Sequence, residues 1–162
     1  MHFAVAAPSK RLTVIEERVH IDRAPLDVFA FFDRPRNVQE ATPKTIAVSL
    51  ESHPEDLRLG TIFAYRLKRW PVDFAWDVVV SEYEPPRGFT NVKARGFFPK
   101  WAHQYSILPD GSGTELFVTL EYEVASGLYN ALTNNYVIES AMRELVQEQS
   151  RAIAQALEQQ GS

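Results

Sequence analysis

The chain has 162 residues and a mass of 18.4 kDa, close to the roughly 150 residues of one domain, and 45% hydrophobic with 23% charged residues excludes a disordered chain. Lys and Arg total 17 against 21 for Asp and Glu, a formal charge of −4, which argues against nucleic acid or an anionic membrane surface as partner. No cysteine is present, so a disulfide scaffold, thiolate metal sites and a cysteine nucleophile are excluded, and a cytoplasmic location fits.

Residues 1–11 open with Met1-His2-Phe3-Ala4-Val5-Ala6-Ala7-Pro8. They have no basic n-region, and their apolar run is too short for a secretory signal. They read as a disordered leader to a single domain over residues 12–160. No run approaches the roughly 18 apolar residues of a membrane span, so no integral membrane insertion is expected.

From Thr13 to Ile21 the pattern alternates, with Ile15, Val19 and Ile21 on one face and Glu16, Arg18 and His20 on the other. That period of two predicts a half-buried strand. Ala24-Pro25-Leu26-Asp27-Val28-Phe29-Ala30-Phe31-Phe32 follows. Proline suits a first helical position, Asp27 complements a helix N-terminus, and Val28, Phe29 and Phe32 share a face. This is a short amphipathic helix, broken by Asp33-Arg34-Pro35. A second short helix is expected over residues 35–42, ended by Pro43.

The period then returns to two for about 80 residues. Strands are expected at Ile46–Leu50, Thr61–Lys68, Asp73–Tyr83, Phe89–Arg95, Lys100–Leu108 and Thr114–Val124. Glu84-Pro85-Pro86-Arg87-Gly88 is a turn. Asp110-Gly111-Ser112-Gly113 closes a hairpin, because glycine tolerates the positive φ such turns need. From Leu128 to Leu157 there is no Pro or Gly, and Leu128, Leu132, Met142, Leu145, Val146, Ile153 and Leu157 keep near-helical spacing. A long helix is predicted, loosened near Asn134-Asn135. The fold class is α+β: a curved seven-stranded antiparallel sheet around a long C-terminal helix, with two short helices after the first strand. A hollow between sheet and helix is where a ligand cavity belongs.

The order of elements and several motifs resemble the helix-grip proteins of the START/Bet v 1-like group (the SRPBCC superfamily, with its polyketide cyclases and dehydrases). Ile21-Asp22-Arg23-Ala24-Pro25-Leu26-Asp27-Val28-Phe29-Ala30-Phe31-Phe32 is similar to that group's strand-then-APxxVFxF opening, and Asp33-Arg34-Pro35-Arg36-Asn37 to its next corner. Gly60-Thr61 and Glu84-Pro85-Pro86-Arg87-Gly88-Phe89 fit as well. Gly96-Phe97-Phe98-Pro99-Lys100-Trp101-Ala102-His103 resembles the glycine-aromatic loop and W-x-H of a bacterial ligand-binding subgroup. Where relatives of that subgroup often carry a second histidine, this chain has Tyr105. The resemblance implies a helix-grip fold over about residues 13–157, and binding, transport or transformation of a ligand.

Aromatic residues crowd the middle of the chain. Phe63, Tyr65, Phe74, Trp76, Trp101 and Tyr105 fall on the strand face that should meet the long helix, either as core or as ligand-binding wall. Tyr and Trp are costlier inside, since each polar tip needs a partner. His103 is in phase with Trp101 and Tyr105; an inward imidazole can act as acid or base near neutral pH, or be an ordinary core histidine. Asn91, Lys93 and Arg95 alternate along one strand. Facing inward they would offer a polar, cationic rim; facing outward they are a solvated surface. His2, His20 and His53 are scattered, so no metal is assigned. GxSxG, P-loop, dinucleotide and HExxH signatures are absent, and nothing calls for a cofactor.

The leading expectation is a binder of a small hydrophobic molecule, aromatic or polyketide-like, held inside by Phe63, Tyr65, Phe74, Trp76, Asn91, Arg95 and Trp101. The alternative is a cyclase or dehydratase using the same cavity, with His103 as acid/base and Tyr105 among the groups steering an oxygen. A second alternative is a protein-interaction module with a collapsed cavity. A homodimer is compatible with all three.

Overall fold

The computed structural model describes residues 11–125 and 132–161. In chain order the elements are β1 (Arg11–Ile21), α1 (Pro25–Phe32), α2 (Pro35–Ala41), β2 (Val48–Leu50), β3 (Ile62–Arg69), β4 (Val72–Glu84), β5 (Gly88–Gly96), β6 (Lys100–Asp110), β7 (Gly113–Val124) and α3 (Leu132–Gln160). The strands form one antiparallel sheet in the order β1-β7-β6-β5-β4-β3-β2. Consecutive strands are therefore neighbours from β2 to β7, and only β1 crosses over, pairing Ile15 with Leu120 and Ile21 with Thr114.

Period-two patterning puts one face of this sheet in the core. Ile15 and Ile21 of β1, Phe63 and Leu67 of β3, Trp76, Val78 and Val80 of β4, and Leu116, Val118 and Leu120 of β7 are all buried. The curled sheet closes on α3, which touches β1 and β7 at one end of the strand order and β2 and β4 toward the other. The helix answers with a buried stripe of Ile138, Met142, Leu145, Val146, Ile153 and Leu157, which recur at the three-, four- and seven-residue intervals of one helix face. Among the described residues no helix is long and apolar enough to cross a membrane.

The short helices cover the remaining opening. Pro25 starts α1 and Asp27 lies in its first turn; Val28, Phe29, Phe31 and Phe32 are buried. Asn37 fixes the α1–α2 corner by donating its side-chain N–H to the Phe31 carbonyl at 3.1 Å. Asp33 accepts a 2.5 Å hydrogen bond from the Tyr83 hydroxyl, tying the same corner to β4.

Several element ends differ from expectation by one to three residues. β2 starts at Val48 rather than Ile46, because the Ala47 N–H donates to Glu144 Oε1 of α3 (2.7 Å). α3 runs unbroken through Asn134 and Asn135 and ends at Gln160 instead of Leu157; the expected residues 128–131 lie outside the described residues. β1 begins at Arg11, inside the expected leader, whose residues 1–10 also lie outside them.

Candidate functional site

A cavity of about 200 Å³ lies between the concave face of the sheet, α2 and α3. β3 contributes Phe63 and Tyr65 to its wall, β5 contributes Phe89 and Asn91, and β6 contributes Tyr105. Phe32 and Val38 close it from the short helices, and Leu145 and Gln149 from α3. Gln39, Lys44 and Ser49 ring the mouth, beside the α2–β2 loop. Beside this wall β4 and β5 slip register between Asp77 and Val78 and again between Val80 and Glu82. Such bulges kink strands and raise local twist.

The polar atoms inside are neutral. Tyr105 donates its hydroxyl proton to Gln149 Oε1 at 3.2 Å. Gln149 Nε2 donates in turn to Thr42 Oγ1 at 3.1 Å, and Thr42 donates to the Val38 carbonyl at 2.6 Å. This relay joins the sheet, α3 and the end of α2 across one side of the cavity. The Tyr65 hydroxyl has no hydrogen-bond partner among the described residues, and burial pushes it up to about 12. Burial, with Tyr65 nearby as a lesser cause, raises Tyr105 well above the ordinary range of a phenol. Both phenols are thus protonated at physiological pH. Asn91 is buried and its Oδ1 lacks a partner among the described residues. Lys44 is exposed at the rim.

Of the residues singled out in the sequence, Phe63, Tyr65, Asn91 and Tyr105 come together on this wall. Trp76, Trp101 and His103 are also buried but belong to a solid aromatic block beside it. Phe98, fully buried in the loop after β5, is the centre of that block. Its ring packs within 5.1–5.5 Å of Trp76, Trp101, Phe74 and Tyr122. Phe74 is half-buried and stacks on Phe97 at 3.8 Å. The two adjacent phenylalanines fill the end of the hollow where Trp76 and Trp101 were expected to line it. Phe97-Phe98 next to a glycine was the available signal for such a plug.

On β5 the open choice of face resolves residue by residue. Asp77 pairs with Arg95 and Val78 with Lys93, so Ala94 is an extra residue and the strand changes phase. Asn91 faces the cavity. Arg95 points to the outer surface, 85% exposed, where Asp77 Oδ2 accepts from it at 2.9 Å. Inward cationic steering by Arg95 is therefore corrected.

His103 is inward, as the phase of its strand predicts, with 2% exposure. Its ring sits 4.5 Å from Tyr105 and 6.0 Å from Trp101. Burial pushes its pKa down to about 3, so the expected titration near neutrality is corrected: the imidazole stays neutral. Among the described residues its Nε2 has no partner, nor do the indole nitrogens of Trp76 and Trp101. At the far end of β1, His20 meets Asp110 and Glu115 with ligand-type atoms within 4.8 Å. Arg18 already engages Glu115 there and Asp22 engages His20, which makes a surface charge cluster.

Sequence reasoning missed the polar relay. Gln149 stands on the buried stripe of α3 between Val146 and Ile153, and a glutamine at an apolar position is the signal that could have found it.

Comparison with known proteins places this geometry. Solved structures that resemble the chain include TTHA0849 from Thermus thermophilus, with a TM-score of 0.70 at 16% identity, covering 93% of this chain and 100% of that one. An aromatase/cyclase, Zhui from Streptomyces sp. R1128, superposes with a TM-score of 0.65 at 14% identity and 93% coverage of both chains. Ara h 8.0201 follows at 0.58 and 15%, covering 93% of this chain and 97% of that one. At these identities the likeness concerns the fold. No curated protein matches the chain. The model of the family described as "Polyketide cyclase / dehydrase and lipid transport" matches residues 13–158, from the first strand to the end of the last helix, and the chain belongs to that family.

Proposed function

We propose that the protein binds one small hydrophobic molecule, aromatic or polyketide-like, in the cavity between sheet and α3. The observation that carries this reading is a hollow of about 200 Å³ walled by Phe32, Phe63, Phe89 and Leu145 with a few uncharged polar atoms among them. Ligand sites have that composition. A cavity of about 150 Å³ takes up benzene, so this one suits roughly one or two fused rings. The hollow also disfavours the reading as an interaction module with a collapsed core.

The cyclase alternative draws less support. His103 sits outside the cavity wall, and its imidazole, held near 3 by burial, is not a proton donor at neutral pH. Tyr65 remains able to donate a hydrogen bond to a substrate oxygen, whereas Tyr105 already gives its hydroxyl proton to Gln149; as protonated phenols both are poor bases. Positioning is what this wall can supply.

Naphthalene tests the reading. Equilibrium dialysis should give saturable one-to-one binding, with a Kd on the order of 10–100 µM for so small a ligand. Leu145→Trp, which puts an indole where a wall leucine stands, should weaken binding at least about tenfold while circular dichroism stays native, overpacking of this kind being tolerated at modest cost. No saturable binding to the wild type, or equal binding to the variant, would overturn it.

A further inference from the structure

Asn91 is 3% exposed and faces the cavity, and its Oδ1 has no partner among the described residues. Buried amides are nearly always hydrogen-bonded, and the neighbours of this one leave it unmet. Its register partners are Val80 on β4 and His103 on β6, and the facing His103 Nε2 is itself unpaired. Phe89, the next inward residue on the same strand, is apolar. A valine or leucine would fill this wall position without a polar group to satisfy.

We propose that the ligand carries an uncharged hydroxyl, phenolic or enolic, that docks on Asn91, so that the protein selects hydroxylated aromatics over plain hydrocarbons and over carboxylic acids. This deepens the ligand-binding reading and rests on it. An amide end presents both a donor and an acceptor. A hydroxyl is likewise both, and meets the amide whichever of its atoms faces the ligand. A hydrocarbon leaves the amide unpaired. A carboxylate would be buried without a counter-ion, because the interior polar groups Tyr65, Tyr105, Gln149 and Thr42 are uncharged and Lys44 stands exposed at the mouth. The partnerless Tyr65 hydroxyl, on β3 with β4 between it and β5, supplies a second neutral anchor for a ligand with more than one oxygen.

Three probes of one ring system decide it: naphthalene, 2-naphthol (uncharged at pH 7) and 2-naphthoate, each titrated by calorimetry into wild type and Asn91→Leu. In the wild type 2-naphthol should bind about five- to tenfold more tightly than naphthalene, the size of one net hydrogen bond, and 2-naphthoate most weakly. Asn91→Leu should bring naphthol and naphthalene within about twofold of each other. Equal binding of naphthol and naphthalene to the wild type overturns the inference but leaves the ligand-binding reading standing. So does a naphthol preference that survives in Asn91→Leu. Tightest binding by 2-naphthoate overturns it as well and transfers the anchor to Lys44. If naphthalene itself fails to bind, both readings fall. Should the variant not fold, the wild-type ranking of the three probes decides alone.

Discussion

Gly96→Ala is expected to cost at least about 3 kcal/mol of stability, and for a chain of this size to lower Tm by about 6–12 °C. Two effects add. Gly96 has φ +113°, which side-chain-bearing residues rarely adopt. A Cβ there would lie 2.7 Å from Trp76 Cα, 2.8 Å from the Ala75 carbonyl oxygen and 2.9 Å from Trp76 Cβ. Two of these are backbone atoms of the paired strand, so β4 or β5 must move. Gly60→Ala is the control: φ is +89° but nothing lies within 4 Å of its added Cβ, so only strain of about 1–2 kcal/mol remains. Thermal unfolding of both variants checks the difference. Equal losses would show that the close approach at Trp76 does not matter. The position is important for the site as well, since the chain leaves Gly96 directly into Phe97 and Phe98, which seal one end of the hollow.

His103 should make the protein acid-sensitive well above the carboxylate range. Its pKa is about 3 when folded and about 6.5 when unfolded, so below pH 6.5 the unfolded chain takes up a proton that the native state refuses. The stability contribution is therefore complete above about pH 6.5 and is lost as the pH falls toward 3. The slope is about 1.4 kcal/mol per pH unit, which amounts to roughly 2–3 kcal/mol between pH 6.5 and 4.5. His103→Leu keeps an apolar group among Trp101 and Tyr105 and removes the titration. Urea unfolding of both proteins from pH 7.5 to 4.5 should show the wild type losing about 2–3 kcal/mol more than the variant as the pH falls. Parallel curves would mean that the folded imidazole accepts its proton at an ordinary pH.

Most of the fold was legible because burial and strand period coincide on one-sided antiparallel strands. Ile15, Val19 and Ile21 against Glu16, Arg18 and His20 gave β1 its faces, and the same alternation carried β3, β4, β6 and β7. Phase was lost where a strand is irregular. Ala94 shifts β5 by one residue, so Asn91 and Arg95, equivalent by counting, end on opposite sides of the sheet. The cavity was half legible for a related reason. Sequence phase tells which side chains point inward; it cannot tell which inward space another segment fills. Trp76, Trp101 and His103 point inward as expected, but Phe98 from a loop occupies the room they face. Tyr65, Asn91 and Tyr105 remain open to the hollow because only Thr42, Gln149 and the short helices lie opposite. Those residues are distant in sequence and joined by hydrogen bonds that periodicity does not encode.

The crossover of β1 has a consequence in time. Its partner strand β7 follows roughly a hundred residues later, as the pairing of Ile15 with Leu120 requires. At synthesis rates of about 5–20 residues per second, β1 leaves the ribosome and waits some 5–20 seconds without its ladder. During that interval Leu12, Val14, Ile15, Val19 and Ile21 are an unpaired β-prone segment, open to its counterpart on a neighbouring nascent chain. The charges of Glu16, Glu17 and Arg18 at its centre act against such pairing while the chain grows. Replacing those three by threonines should raise the aggregated fraction in cell-free translation, and an unchanged soluble yield would show that the waiting strand is protected by other means.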